Sequence, residues 1–335
     1  MAVNRQVTLA ARPEGYPKPG DFKLVEGQVP EPRHGQILVR TLWLSLDPYQ
    51  RGRMSAARSY AASVDIGAPI IGGIVGRVER SENARFAAGD IVEGWLGWQD
   101  YALSDGHDLR KVDPALAPIQ TALGVLGMPG MTAYFGLLEI GRPRPGDTVV
   151  VSAASGAVGS LVGQIAKLMG CRVVGTAGRD DKVDYLTKEL GFDAAINYKT
   201  ANLDDALAAA CPDGVDVYFD NVGGDVTEAV MRNLARFARI AICGQISQYN
   251  LTQPDVGPRN LRFLLVKQAR MEGFLVFRFA DRYDEARARL ARWIKDGRIK
   301  YREDVVEGLE NAPAAFIGLM RGENFGKLLV RVAEA

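Results

Sequence analysis

The sequence predicts an α/β protein with two domains, a doubly wound parallel sheet and a mostly β domain. Its 335 residues are too many for one typical core and suit two. Up to residue 125 the chain consists of short strand-like runs broken by Gly, Pro and Asp, whereas from Arg144 strands and helices alternate regularly. An apolar content of 47% and a charged content of 24% are typical of a soluble globular protein.

The N-terminal region predicts a compact, mostly β domain with barrel-like closure. Strand-like runs separated by turn residues occupy 36–41, 73–78 and 89–94. The apolar, helix-like segment 123–141 that follows is interpreted as the hinge between the domains.

The second domain is predicted from the alternation of strands and helices. We expect six strands, at 148–152, 172–176, 194–197, 215–219, 238–243 and 271–277. The helices between them are expected at 157–169, 181–190, 203–210, 224–234 and 259–268. Such alternation gives a parallel sheet with right-handed crossovers, and ligands bind outside the C-terminal ends of its strands.

The C-terminal part is expected to return to the first domain. An amphipathic helix is predicted at 282–300, and a strand at 327–332 follows it. The predicted domains are therefore 1–125 together with 301–335, and 126–300.

The turn after the first strand of the sheet has a phosphate-binding pattern. It reads Ala153-x-x-Gly156-x-x-Gly159, a variant of the G-x-G-x-x-G loop with alanine first. Small residues let the backbone approach a pyrophosphate, and the helix N-terminus offers N–H groups to it. Gly156, Ala157, Val158 and Gly159 are thus expected to bind a dinucleotide; the alternative is an ordinary close-packed strand–helix turn.

The next strand ends with residues that favour NADP over NAD. Gly178 leaves space, and Arg179 and Lys182 supply positive charge for a 2′-phosphate, whereas an NAD site usually has an acidic side chain near this point. Asp180 and Asp181 lie where a helix N-terminus favours acidic residues, so they could be caps rather than ribose ligands. The alternative is that Arg179 and Lys182 are solvated surface charges.

Charge and composition argue against several classes of partner. A formal net charge of +1 disfavours recognition of nucleic acid or of a membrane surface through bulk charge. No uninterrupted apolar segment reaches membrane-spanning length, and residues 1–15 lack the apolar core of a signal peptide. A cytoplasmic protein is expected.

Three cysteines and two histidines predict no metal site. Cys171, Cys211 and Cys243 are far apart and odd in number, which excludes both a disulfide framework and a close-spaced zinc motif. His34 lies in a Pro-rich turn and His107 in a polar loop. Two histidines in these places are too few and too poorly placed to form a metal site.

Loops in both domains contain candidate functional residues. Asn221 could hold a ribose or carboxamide, or form an Asx-turn at its strand exit. Tyr249 could stabilise an oxyanion as a neutral donor, or simply pack its ring. In the first domain Tyr49 could reach the cleft or pack, and Arg51 and Arg53 could bind an anion or be solvated.

Six segments form a pattern more specific than the glycine turn alone. They are 46–54 (LDPYQRGRM), 153–160 (AASGAVGS), 218–224 (YFDNVGG), 242–250 (ICGQISQYN), 313–316 (PAAF) and 322–327 (GENFGK). Together they resemble the medium-chain dehydrogenase/reductase superfamily over essentially the whole chain. The similarity is greatest to the zinc-independent leukotriene B4 12-hydroxydehydrogenase/prostaglandin reductase group, which includes plant double-bond reductases and bacterial curcumin-type reductases.

The resemblance also locates where a catalytic zinc would be held. Zinc alcohol dehydrogenases of the superfamily have a cysteine before the first-domain loop and a Gly-His-Glu segment after it. This chain has Leu44-Ser45-Leu46-Asp47 and Ile71-Gly72-Gly73-Ile74 in those regions. Without a thiolate or imidazole there, alcohol oxidation through a zinc Lewis acid is disfavoured.

The resemblance implies a six-stranded Rossmann sheet, a GroES-like barrel domain and NADPH-dependent reduction of a carbon–carbon double bond conjugated to a carbonyl. Hydride passes to the β-carbon, and a neutral donor stabilises the charge on the carbonyl oxygen without zinc. Tyr249 is the implied donor, and Tyr49 is implied to line the substrate site. The implied cofactor contacts are Gly156 to Gly159, Lys182, Tyr198, Asn221, Cys243, Gly244, Ser247, Tyr249, Phe274 and Asn324, and the charge argument adds Arg179.

The same resemblance implies a homodimer acting on a small enone or enal. Two alternatives stay open from the sequence. One is a quinone oxidoreductase of the same superfamily, and the other is a protein that binds NADPH without turnover.

Overall fold

The computed structural model describes residues 3–334 and divides the chain into two compact units. The first unit runs to Leu123 and resumes at Glu303, and the second unit comprises Gly124–Arg302. The boundaries expected from the sequence, after residues 125 and 300, each lie two residues from these positions.

The N-terminal part of the first unit is mostly β, as predicted. Its elements are β1 (Val3–Leu9), β2 (Phe22–Gln28), β3 (Ile37–Ser45), α1 (Tyr49–Arg53), β4 (Ile74–Ser81), β5 (Ile91–Gly94), β6 (Tyr101–Ser104) and β7 (Arg110–Lys111), with 3-10 turns at Pro19–Asp21 and Ile119–Leu123. Strands β1 and β2 form an antiparallel pair, and β3 is the centre of a second sheet. One edge of β3 pairs with β4, while β6 joins the first half of its other edge.

The second unit has the predicted alternation of strands and helices. Its elements are α2 (Met128–Phe135), β8 (Thr148–Val151), α3 (Gly159–Leu168), β9 (Arg172–Ala177), α4 (Asp180–Lys188), β10 (Ala194–Asn197), α5 (Leu203–Ala210), β11 (Val215–Asp220), α6 (Gly224–Arg232), β12 (Leu234–Ile242), α7 (Arg262–Val266), β13 (Arg270–Gly273) and α8 (Tyr283–Lys295). A π-helical turn, Gly136–Gly141, continues α2, and 3-10 turns occupy Ile246–Gln248 and Val276–Arg282.

Strand order in the second unit is β10-β9-β8-β11-β12-β13, and every pairing is parallel. The predicted doubly wound, six-stranded sheet is confirmed. Its central strand β8 is apolar and fully buried, because helices cover both faces of such a sheet. The order reverses between β8 and β11, and a crevice at the C-terminal ends of the strands is expected at such a switch point.

The last strands of the sheet differ from the prediction. Strand β12 begins four residues early, at Leu234, because its pairing with β11 contains a bulge. Within that bulge Phe237 has a φ of +65°, a left-handed conformation that strand periodicity does not reveal. Strand β13 ends at Gly273 because the chain then turns into the 3-10 segment Val276–Arg282.

The C-terminal residues complete the first unit through β14 (Glu303–Glu307), a 3-10 turn (Leu309–Asn311), α9 (Ala312–Met320) and β15 (Lys327–Arg331). Strands β14 and β15 are parallel, and β15 pairs antiparallel with the second half of β3. The expected return of the chain to the first domain is confirmed. None of the helices formed by residues 3–334 is long and apolar enough to span a lipid bilayer.

Candidate active site

The turn between β8 and α3 has no room for a side chain at Gly159. A Cβ there would lie 2.4 Å from the carbonyl oxygen of Ala153 and 2.8 Å from the α-carbon of Ala154. The N–H of Ala154 donates to the carbonyl of Thr176 at 3.0 Å, which fastens the turn to β9. Ala153, the alanine in the first position of the motif, has a φ of +48°. The turn thus has the close strand–helix approach that the motif requires.

The end of β9 brings Gly178 and Tyr198 together. A Cβ on Gly178 would lie 2.8 Å from the Tyr198 hydroxyl and 3.1 Å from Cε of Lys199. The space that the sequence predicted at Gly178 is therefore bounded by Tyr198, which the resemblance alone had pointed to.

The charged residues after Gly178 bond mainly to one another. Arg179 Nε donates to Asp181 Oδ1 at 2.9 Å and its terminal nitrogen to the other oxygen, and this contact lowers the pKa of Asp181. Asn197 Nδ2 donates to Asp180 at 2.6 Å. Lys182, in the first turn of α4, is 7% exposed, so the solvated-charge alternative is wrong for this residue.

Asn221, directly after β11, ties two strand ends together. Its Nδ2 donates to the carbonyl of Ser152 at 2.7 Å and its N–H to the Ser152 hydroxyl at 2.9 Å. The Asx-turn at this strand exit belongs to Asp220, whose Oδ1 accepts from the N–H groups of Val222 and Gly223, both at 2.9 Å. An Asx-turn is therefore present at this strand exit, but Asp220 forms it and Asn221 does not.

The loop after β12 is fastened to the loop after β11. The N–H of Ile246 donates to the carbonyl of Asn221 at 3.3 Å. The N–H and the hydroxyl of Ser247 both donate to the carbonyl of Val222, at 3.1 Å and 2.6 Å. These bonds hold the two loops together at the C-terminal edge of the sheet.

The hydroxyl of Tyr249 lies beside the backbone of its own loop. A Cβ on Gly244 would be 3.1 Å from Tyr249 Oη. Cys243 precedes this glycine, and burial raises the pKa of its thiol to about 12. The Cys243 thiol is therefore neutral at neutral pH.

Two further predicted contact residues are held within their own units. The Phe274 ring meets the Phe219 ring edge-on at 6.2 Å and fills the space in which a Cβ on Gly136 would stand. In the first unit, Asn324 Nδ2 donates to the carbonyl of Gly326 at 2.9 Å. Their roles toward a cofactor stay predictions.

Tyr49, the first residue of α1, has a packed ring and a buried hydroxyl. Its ring lies edge-on against Trp95 with centroids 5.5 Å apart. Among the described residues its hydroxyl has no hydrogen-bond partner. Burial, with a smaller effect of Asp47, raises the pKa of Tyr49 well above its ordinary value, so the phenol is neutral.

Arg51 and Arg53, beside Tyr49, were expected either to bind an anion or to be solvated. Arg51 is 6% exposed and donates to the carbonyls of Pro13 and Gly15 at 3.1 and 2.9 Å. Burial lowers its pKa. Arg51 therefore anchors the N-terminal loop, a role that the sequence analysis did not consider. Arg53 has a buried Nε.

A buried ion pair closes the same loop. Lys327 Nζ donates to Asp47 Oδ1 at 2.8 Å and to the carbonyl of Leu46 at 2.9 Å. The other oxygen of Asp47 accepts from the Ser45 hydroxyl, and the Asp47 N–H donates to Gln50 Oε1 at 3.0 Å. Both charged residues are nearly inaccessible, so the pair fixes the start of α1 to β15.

The geometry can be compared with known proteins. The family described as the N-terminal domain of oxidoreductase matches residues 5–112, and the family described as zinc-binding dehydrogenase matches residues 157–292. Prostaglandin reductase 1 of Rattus norvegicus is 47% identical, with 99% of this chain and 100% of the relative covered. The chain belongs to the medium-chain dehydrogenase/reductase superfamily.

Within the superfamily, the predicted similarity to the double-bond reductase group is confirmed. The NADP(+)-dependent 2-alkenal reductase of Nicotiana tabacum is 46% identical, with 98% of each chain covered. A crystal structure of CurA from Vibrio vulnificus in complex with NADPH superposes with a TM-score of 0.95 at 49% identity, covering 99% of this chain and 100% of that chain.

The two segments in which zinc alcohol dehydrogenases have cysteine and histidine ligands contain neither residue type in this chain. They are Leu44 to Asp47 and Ile71 to Ile74, and the one carboxylate among them, that of Asp47, is bonded to Lys327. Across residues 3–334 the structure brings together no group of three or more His, Cys, Asp or Glu residues that could hold a metal ion.

The residues at the C-terminal edge of the sheet fit an NADP cofactor. Gly159, Gly178 and Gly244 end or follow three of the strands, and at each of them a Cβ would meet a neighbouring atom. Close backbone approach is what a pyrophosphate requires. The N–H groups of Ser160, Leu161 and Val162 in the first turn of α3 already donate to the carbonyls of Gly156 and Val158. Lys182 and Arg179 are cations at the start of α4, directly after β9, and their contact with a 2′-phosphate stays a prediction.

Asp220 is the residue of this site that the sequence analysis missed. Asp220 belongs to the segment 218–224, in which the sequence predicts a functional role for the next residue, Asn221. The available signal was a carboxylate at the last position of a buried strand before Val-Gly-Gly, since aspartate commonly accepts from N–H groups two and three residues on.

Proposed function

We propose that this chain reduces the carbon–carbon double bond of α,β-unsaturated aldehydes and ketones with NADPH. The observation that carries the proposal is the 46% identity to a 2-alkenal reductase over 98% of both chains. The Tyr249 loop and the fit of the sheet edge to NADP support it. Bound NADPH supplies the hydride.

In the proposed reaction the chain stabilises charge that develops on the substrate. When a β-carbon accepts hydride, negative charge collects on the carbonyl oxygen, and a neutral hydrogen-bond donor there lowers the barrier. The Tyr249 phenol is proposed as this donor. Its hydroxyl belongs to a loop bonded to the neighbouring strand exit, so its position costs little reorganisation.

Cofactor contacts are proposed for the residues at the ends of β8, β9, β11 and β12. These are Gly156, Ala157, Val158, Gly159, Arg179, Lys182, Tyr198, Asn221, Cys243, Gly244 and Ser247, with Phe274 and Asn324. Tyr49 is proposed to line the substrate site. Its hydroxyl is neutral and has no hydrogen-bond partner among the described residues, so it can donate to a substrate oxygen.

A homodimer in the cytoplasm is proposed with this activity, because NADPH is supplied there.

Support for the dimer comes from β13, the end strand of the six-stranded sheet, and from the apolar side chains of the adjacent α7. Leu265 and Val266 are 82% and 65% exposed. Replacing both by Asp is expected to give monomers in sedimentation equilibrium; an unchanged mass would contradict this surface.

The activity is tested by NADPH oxidation with 2-alkenals, cyclic and linear enones, and quinones. NADPH carrying deuterium at its transferable position should place the label on the β-carbon of a saturated product. An allylic alcohol as product, or turnover of quinones alone, would contradict the proposal. Bound NADPH with no turnover of any substrate would favour the binding protein.

Tyr249→Phe tests the assigned donor. Loss of the hydroxyl is expected to lower kcat by roughly 10²-fold, as for the loss of one oxyanion donor. Turnover at the wild-type rate would remove Tyr249 from the mechanism.

A further inference from the structure

Asp220 is a fully buried carboxylate at the last position of β11. Its two oxygens accept hydrogen bonds from the hydroxyls of Tyr218 (2.9 Å), Thr227 (2.7 Å) and Ser152 (3.3 Å) and from the N–H groups of Val222 and Gly223 (both 2.9 Å). All five donors are neutral. Burying a charge is costly unless its hydrogen bonds are complete, and here they are numerous.

The main chain of the same residue holds the neighbouring loop. The carbonyl oxygen of Asp220 accepts from the N–H of Cys243 at 2.8 Å and from the N–H of Gly244 at 3.1 Å. Gly244 is the residue at which an added Cβ would stand 3.1 Å from the Tyr249 hydroxyl. One residue therefore determines the start of both loops.

The donors to Asp220 are themselves fixed. Tyr218 is fully buried, and burial together with Asp220 raises the pKa of its phenol well above the ordinary value, so it remains a donor. Thr227 is in the first turns of α6, and its bond connects the carboxylate to that helix. The arrangement is a rigid junction of β8, β11, β12 and α6.

We propose that Asp220 is a positioning residue, which sets the loop containing Asn221 and the loop containing Tyr249 in their working arrangement for NADPH and for the carbonyl oxygen of the substrate. The inference rests on the proposed function. Asp220 itself is buried and acts through these loops.

The test compares Asp220→Ala and Asp220→Asn with Asp216→Ala and Asp216→Asn. Asp216 is in the same strand β11, where it accepts one N–H, from Thr148 at 2.8 Å. It lies at the strand's other end, so the control repeats the same chemical change away from the two loops. Two readouts need no turnover: the NADPH dissociation constant, and amide hydrogen exchange of peptides covering 221–224 and 243–249.

Asp220→Ala is expected to raise the NADPH dissociation constant about tenfold and to speed exchange in both loops selectively. Asp220→Asn retains one acceptor oxygen and can donate to Thr227, so it is expected to stay within about threefold of wild type. Values for Asp220→Ala within about twofold of Asp216→Ala would overturn the proposal. Exchange raised equally throughout the second unit would overturn it too, because Asp220 would then act only on stability.

If Asp220→Ala does not fold, Thr227→Val tests the same proposal, with a smaller expected change in the NADPH dissociation constant. It removes the one donor to Oδ2 and is expected to raise the NADPH dissociation constant about threefold, with faster exchange at 221–224. No change in either quantity would contradict the proposal.

Coupling to Tyr249 is measured by a double-mutant cycle on kcat. If Asp220 works by placing the phenol, Tyr249→Phe should cost only about threefold in the Asp220→Ala background, against roughly 10²-fold in wild type. Fully additive effects would contradict this part. If the chain reduces no enone, the proposed function fails, whereas the binding and exchange measurements still decide the role of Asp220.

Discussion

The hydroxyl of Tyr249 lies so close to the backbone of Gly244 that a Cβ on that glycine would stand 3.1 Å from the phenol oxygen. Both residues are in the loop after β12, and Gly244 is itself bonded through its N–H to Asp220. The position of the proposed donor is thus set by the absence of a side chain five residues earlier.

Gly244→Ala is therefore expected to displace the Tyr249 hydroxyl by a few tenths of an ångström. Small displacements of a catalytic group are costly, and we expect kcat for an enone to fall about fivefold. Gly273→Ala is the matched control, since Gly273 ends the next strand and its added Cβ would have no neighbour within 4 Å. Equal kcat values for the two variants would argue against a fixed Tyr249.

Gly159→Ala should destabilise the turn between β8 and α3 more than Gly156→Ala. At Gly159 the new Cβ would be 2.4 Å from a carbonyl oxygen, so the backbone must move, whereas at Gly156 the nearest atom is 3.2 Å away. We expect the melting temperature to fall by roughly 3–6 °C for Gly159→Ala and by less than about 2 °C for Gly156→Ala. Thermal unfolding without NADPH measures both, and the reverse order would contradict the described turn.

Lys182→Ala should change the preference between NADPH and NADH. Loss of a charge-assisted contact to the 2′-phosphate is expected to raise the Michaelis constant for NADPH about tenfold and that for NADH less than about twofold. Arg179→Ala is expected to have a smaller effect, about threefold, because its guanidinium is already paired with Asp181. Equal effects of Lys182→Ala on both cofactors would contradict a 2′-phosphate contact.

Local patterns predicted the parts of this structure that depend on neighbouring residues. The six strands follow from apolar runs between turn residues, and the turn at Gly156 and Gly159 follows from spacing between a strand and a helix. Gly178 was expected to leave space for a 2′-phosphate, and that stays a prediction; what the structure shows is that a Cβ there would lie 2.8 Å from the Tyr198 hydroxyl.

Bonds between distant residues could not be predicted in this way. Lys327 and Asp47 are 280 positions apart, and no periodicity relates them. Arg51 has the appearance of a surface charge, and its burial depends on carbonyls of a loop 36 and 38 residues away. The five donors around the Asp220 carboxylate come from the ends of β8 and β11 and from helix α6, so the importance of that carboxylate exists only in the folded chain.

The three thiols are expected to resist alkylation in the native protein. Burial raises the pKa of Cys243 to about 12 and those of Cys171 and Cys211 to about 11. Only the thiolate reacts, so at pH 8 about one Cys243 side chain in ten thousand is reactive. Mass spectrometry should find no iodoacetamide adduct before denaturation and three after it; rapid native modification of Cys243 would contradict its raised pKa.

Lys327→Met should destabilise the first unit strongly, because it leaves the buried Asp47 carboxylate without its cation. Breaking a buried pair from one side costs about 3–5 kcal/mol, whereas replacing both partners by neutral groups is often tolerated. We expect the melting temperature of Lys327→Met to fall by roughly 5–10 °C and that of the double variant Asp47→Asn,Lys327→Met to fall less. Lys188→Met is the surface control, since Lys188 and Asp184 are 70% and 60% exposed and their pair contributes little. If the double variant melts no higher than Lys327→Met, the loss comes from packing of the lysine stem rather than from an uncompensated charge.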